Sequence, residues 1–167
     1  TMATYDLTGP GGTNRPGRYN PGIRTPYLVE NTIDVSAVNS DAGVADADVL
    51  KAIDVPAETV VMAAGLEILT ACSSSVTLDL GITGSTAGNH DPDMWVDGID
   101  ATATGHQVPD AVDAAGFLIC KVADTIDILV DSAASTAGKV RVWAILCDIA
   151  GVDETDRSSD AQHDSTG

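Results

Sequence analysis

Between Thr59 and Ile82 the residues alternate between apolar and polar or small with little interruption. Val60, Met62, Ala64, Leu66 and Ile68 share one parity. After Cys72-Ser73-Ser74-Ser75, the residues Val76, Leu78, Leu80 and Ile82 alternate with Thr77, Asp79 and Gly81. A period of two puts the two sets on opposite faces of a pleated strand. The polar break between the runs has the length of a hairpin connection. The stretch therefore predicts a long antiparallel hairpin with one apolar and one wet face, and a second sheet to cover the apolar side.

The rest of the chain reads the same way. Tyr27 to Val35 alternates, with Tyr27, Val29, Asn31, Ile33 and Val35 on one side. Val49, Lys51, Ile53 and Val55 favour a strand over a short helix, and Pro56-Ala57-Glu58-Thr59 turns the chain. Thr83 to Asn89 is a turn of small residues. His90 to Asp100 reads as a short strand with Trp95 buried, and Ala101 to Gly116 as a loop or irregular edge. Phe117 to Val122 and Thr125 to Asp131 are two more strands. Lys139 to Ile149 is the last, apolar on both faces, which suggests a central strand or one whose outer face meets a partner. Thr77-Leu78-Asp79-Leu80 is echoed by Thr125-Ile126-Asp127-Ile128, and Ser85-Thr86-Ala87-Gly88 by Ser135-Thr136-Ala137-Gly138. About eight short strands and no convincing helix predict an all-β fold, an antiparallel β-sandwich of jelly-roll type. The strand order is not legible at this level.

The two ends differ from this body in composition. Residues 3–26 hold five Gly, four Pro and the cations Arg15, Arg18 and Arg24. Pro removes donors and Gly adds freedom, so no regular element is expected there. We read 1–26 as an extended arm, 27–149 as the sandwich and 150–167 as an acidic polar tail. The arm carries +2 in a chain of net charge −17, so the rest carries −19. Interspersed tyrosines and arginines against an acidic body point to an arm that orders on a neighbouring subunit. Arg15, Arg18, Tyr19, Arg24 and Tyr27 are its candidate docking residues. Arg141 and Trp143, on the second apolar face of the last strand, are candidates for a subunit contact.

The same charge disfavours nucleic acid, which needs a basic footprint. No run approaches the roughly 18 apolar residues of a membrane span, and no secretory leader pattern is present; Thr1 before Met2 is set aside as an added residue. Cys72, Cys120 and Cys147 lie in apolar runs and read as buried reduced thiols, consistent with synthesis in a reducing cytoplasm. His90, His106 and His163 are scattered, no nucleophile elbow is present, and Gly138-Lys139 is followed by Val140 where a phosphate loop needs Ser or Thr. Asp91, Asp93, Asp97 and Asp100 could supply oxygens to a cation. As an EF-hand loop the stretch fails, because its third ligand position holds Trp95 and its twelfth Thr102; turn formation explains the acids better. No catalytic residue, metal or cofactor is assigned, and an enzyme is not expected.

The Asp48 to Thr70 run, the Val76–Leu80 strand, the Asp91-Pro92-Asp93-Met94-Trp95-Val96-Asp97-Gly98 turn and the closing Gly138–Ile149 strand resemble small structural proteins of tailed-phage virions. The likeness is to capsid decoration, or cement, proteins and related head proteins, and covers roughly residues 27–149. It implies a β-sandwich or jelly roll, often a homotrimer, that sits on the capsid surface, binds the major capsid protein and staples neighbouring capsomers. It implies no catalytic residue. The rival reading on the same fold is a receptor- or glycan-binding module of a phage tail or fibre. Aromatic residues make up only 4% of the chain, which leaves few rings for sugar stacking.

Overall fold

The computed structural model describes residues 4–6, 25–84, 90–107 and 117–149. Ten strands are found there: β1 (Thr4–Asp6), β2 (Tyr27–Asp34), β3 (Val49–Val55), β4 (Thr59–Thr70), β5 (Thr77–Ile82), β6 (Asp91–Asp100), β7 (Gly105–Gln107), β8 (Leu118–Cys120), β9 (Asp124–Asp131) and β10 (Lys139–Asp148). One short 3-10 turn, Val35–Ala37, follows β2, with the Asp34 carboxylate accepting from the Ser36 amide. The described residues contain no α-helix, and no helix long and apolar enough to cross a membrane.

The strands form two sheets. The first runs β1-β3-β9-β5-β6. The second runs β2-β10-β4, with β7 and β8 sharing the far edge of β4. Taken in chain order, β2 to β6 visit the sheets alternately until β5 and β6 pair in one; the chain then crosses to β7 and β8, back to β9, and over again to β10. Counting β7 and β8 as one interrupted strand, this is the order of a jelly roll of eight strands, with β1 added in parallel beside β3. The expected antiparallel sandwich is therefore what the chain forms.

Several expectations need correction. Thr59 to Ile82 is not a hairpin. β4 and β5 belong to opposite sheets, and Cys72 to Val76 carries the chain across the sandwich. Each run puts one face into the core from its own sheet, so local alternation was right and its pairing wrong. The local hairpin is β5 with β6. The parity of β4 also breaks. Leu146 pairs with Val61 and Ile145 with Ala63, so Met62 bulges out unpaired. Val61, Ala64, Leu66 and Ile68 face inward, and Met62 is 38% exposed. Within the Gly- and Pro-rich arm, Thr4–Asp6 does form a short strand, in register with Val49 to Lys51; in the expected loop after Ala101, Gly105–Gln107 pairs with β4.

The core lies between the sheets. Leu50, Ile53, Leu66, Leu80, Ile126, Ile128 and Leu146 are among its largest sealed side chains. Each such residue contributes about 1.5–3 kcal/mol by leaving water. Trp95 joins this core at 3% exposure, as expected. The first echoed pair, Thr77–Leu80 and Thr125–Ile128, lies in β5 and β9, antiparallel partners in the first sheet, with Leu78 opposite Val130 and Leu80 opposite Ile128; Ser85 to Gly88 lie outside the described residues. Asn31 ties the sheets at one edge, its side-chain amide donating to the Ala52 carbonyl at 2.9 Å. At one end of the sandwich, Val44 and Ser135 exchange backbone hydrogen bonds, and the buried Ser135 hydroxyl donates to the Ala137 carbonyl and accepts from the Ser73 amide. All three cysteines are free; Cys72 and Cys120 are buried and Cys147 is half-buried.

Candidate docking faces

With the inner faces sealed together, the two outer faces are what the sandwich presents. That of the first sheet is acidic. Asp93, Asp97 and Asp131 stand close enough to act on Asp79. Burial lifts the Asp79 carboxyl above its ordinary pKa against the pull of the Gly98 amide, and the charges of Asp97, Asp131 and Asp93 add to the rise. The Gly98 amide donates to Asp79 at 2.6 Å.

Asp127 also belongs to this outer side, between Lys51 of β3 and Gly81 of β5 in register, yet it is 1% exposed. One carboxylate oxygen accepts from both the amide and the hydroxyl of Thr83, and the other has no hydrogen-bond partner. Burial raises its pKa, and the Thr125 and Thr83 groups offset this only in part. His90 reaches the same Thr83, its ring Nδ1 standing 3.0 Å from the Thr83 carbonyl oxygen.

The outer face of the second sheet grades from charged to apolar along β10. At the charged end, Lys139 pairs with Asp34 at 3.4 Å, and Arg141 pairs with Glu67, which His106 approaches at 3.7 Å. The middle row is Glu30, Trp143 and Gly65. The side-chain-free Gly65 leaves room for the indole, whose N–H is buried without an acceptor. Then come Leu28, Ile145 and Ala63 side by side, and beyond them Cys147, Val60 and Ile119. These two rows contain no Asp, Glu, Lys or Arg. Leu28 is 64% exposed and Ile119 47%, and Phe117, just before β8, is 67% exposed.

Sequence reasoning placed Arg141 and Trp143 on this outer face, and both stand there. It missed the apolar rows, because they draw on four strands distant in sequence. Tyr27 opens β2 with its ring half-buried against the core; burial, then the nearby Asp148 and Cys147, push its hydroxyl pKa up. Arg15, Arg18, Tyr19 and Arg24, like the tail 150–167, lie outside the described residues. Asp91, Asp93, Asp97 and Asp100 follow one another along β6, and no group of three or more His, Cys, Asp or Glu among the described residues is placed to hold a metal. A shallow open groove of about 190 Å³ runs along β2, lined by Asn31, Thr32, Ile33, Asp34, Ala37 and Val38. That is small against the roughly 300–1,000 Å³ of typical ligand sites.

No family model matches the chain, and no curated protein matches it. Solved structures share the fold. A chain in the capsid of Ralstonia phage GP4 superposes with a TM-score of 0.58 at 16% identity, over 87% of this chain and 98% of that one. A chain in the acidic stable capsid of Helicobacter pylori bacteriophage KHP30 gives 0.52 at 12% identity, over 75% and 90%. At such identities the likeness is one of fold: the jelly roll seen here is one that chains of two phage capsids also adopt.

Proposed function

We propose that this protein is a structural component of a phage virion, a decoration or cement protein that oligomerises and binds the outside of the head. The observation that carries the reading is a jelly roll matching, over nearly their whole length, chains that stand in two phage capsids. The surface supports it. The sandwich offers an acidic face and a partly apolar face, and the groove along β2 is shallow. Of its two Trp residues, one is in the core and the other is half-buried, so the chain offers a sugar no fully exposed Trp ring to stack on. On this proposal the major capsid protein is the partner. Arg15, Arg18, Tyr19 and Arg24 dock the arm on the shell next to Tyr27, Arg141 and Trp143 lie at or near a contact between subunits, and the oligomer is a trimer.

Cosedimentation with heads assembled from the cognate major capsid protein tests this. The full chain pellets with bare heads and raises the temperature at which they open; the chain beginning at Tyr27 binds at least about tenfold more weakly. A full chain that stays in the supernatant while an unrelated decoration protein pellets with its own heads overturns the reading.

A further inference from the structure

We infer that the apolar end of the second sheet's outer face is the surface through which copies of this chain associate. The inference rests on the oligomerising part of the function proposed above and gives it a location.

Single exposed apolar side chains are ordinary, whereas contiguous ones mark contacts. Here the contiguity comes from register. Leu28 and Ala63 flank Ile145, and Cys147 and Ile119 flank Val60, in adjacent rows on one side of the sheet. The bulge in β4 adds Met62 by turning it out of the ladder at this end. Phe117 comes next to it by position, since Leu118 is opposite Val61. Four of the six large apolar residues that stand exposed in the described chain, Leu28, Met62, Phe117 and Ile119, belong to this end.

Charge selects the occupant. Two copies of a chain at −17 repel each other, and most strongly where Asp79, Asp93, Asp97 and Asp131 face outward together. A basic partner is drawn to that acidic face, and nucleic acid is repelled by it. The two apolar rows carry no Asp, Glu, Lys or Arg; the row beside them holds one acid, Glu30, and beyond it Arg141 is paired with Glu67 and Lys139 with Asp34. A second copy can therefore approach here, bringing matching apolar rows, with little like-charge cost.

Light scattering of the full chain across a concentration series tests the inference, beside Leu28→Asp, Ile119→Asp and Ile119→Val. Residues 28 and 119 are exposed enough that the changes leave the fold intact, which circular dichroism and an unchanged melt confirm. The wild type and Ile119→Val are expected at a multiple of 17.0 kDa. Each Asp variant is expected to associate at least about tenfold more weakly, since an unpaired charge would be buried in the contact. A wild type of single-chain mass at every concentration overturns the inference, as do Asp variants that keep the wild-type mass. Association lost only in the chain beginning at Tyr27 overturns it too and assigns assembly to the arm. Head binding is read separately: a wild type that associates through these rows yet ignores cognate heads sinks the functional reading and supports this one.

Discussion

Two residues on the outer side of the first sheet do work that their types alone do not announce. Gly81 lies beneath β6: a Cβ there would stand 2.1 Å from the Asp91 carbonyl oxygen and 2.4 Å from the Pro92 carbonyl carbon. Both are backbone atoms, so neither can swing aside. Gly81→Ala should cost at least about 2 kcal/mol in chemical denaturation, as overpacking does; a loss below about 0.5 kcal/mol would show that β6 can withdraw freely. Asp127 is a carboxylate that the fold holds away from water with one oxygen unpaired. Its pKa is raised above the ordinary 3.8, chiefly by burial. The folded chain then holds this proton more tightly than the unfolded chain does. Its contribution is most favourable below pH 3.8, declines as pH rises from there to the raised value, and is level above it. Asp127→Asn keeps an acceptor for Thr83 and has no charge to desolvate. The melting temperature of the wild type minus that of the variant should fall as pH rises through that window. A difference that stays flat would mean that the buried carboxyl titrates normally.

At the scale of elements, β4 shows why period-two reading succeeds strand by strand and fails across a bulge. Counting parity from Val60 to Ile68 puts Val60 and Met62 inside, whereas the extra residue at Met62 shifts the phase so that Val61 takes the inward place. A second shift frees Leu69 between Thr70 and Ile68. A bulge inserts one residue into one strand only, so it is a property of the pairing with β10 and leaves no mark on β4 alone. Deletion follows opposite rules at two nearby sites. Removing Met62 leaves Val61 opposite Leu146 and Ala63 opposite Ile145 in a continuous ladder, so the variant should fold and melt cooperatively. Removing Leu66 puts Glu67 into the inward place and throws a buried set outward; that variant should be insoluble or melt without a transition. Equal stability of the two deletions would show that the register slides freely along β10. Strands β2, β3, β5, β9 and β10 were legible within one or two residues because alternation is a local signal. β8 was legible too, within the Phe117 to Val122 run, whereas the three-residue strands β1 and β7 were not, being defined by what lies beside them.

Over the whole molecule the governing facts are charge and topology. A net charge of −17 repels itself most when compact. Raising ionic strength from about 0.01 M to about 0.5 M shortens the screening length from about 30 Å to a few ångströms, so the melting temperature should rise with added sodium chloride. A melt indifferent to salt would mean that the ion pairs Arg141–Glu67 and Lys139–Asp34 lose as much as the repulsion does. The chain's own order of residues determined the class of fold, because alternation and a scarcity of aromatics leave little but a sandwich with a Val, Ile and Leu core. It also determined the acidity. Tertiary structure alone decided that β4 and β5 belong to opposite sheets, and that Leu28, Ile145, Val60 and Ile119 share one outer end. It also decided that Asp127 is buried on the outer side of the first sheet, where Asp79 and Asp131 are not. The physical reason is range. Alternation acts between residues two apart, whereas strand order, bulges and outer-face rows arise from pairings between residues tens of positions apart. Those pairings are chosen by which arrangement seals the most apolar surface while leaving every backbone ladder satisfied.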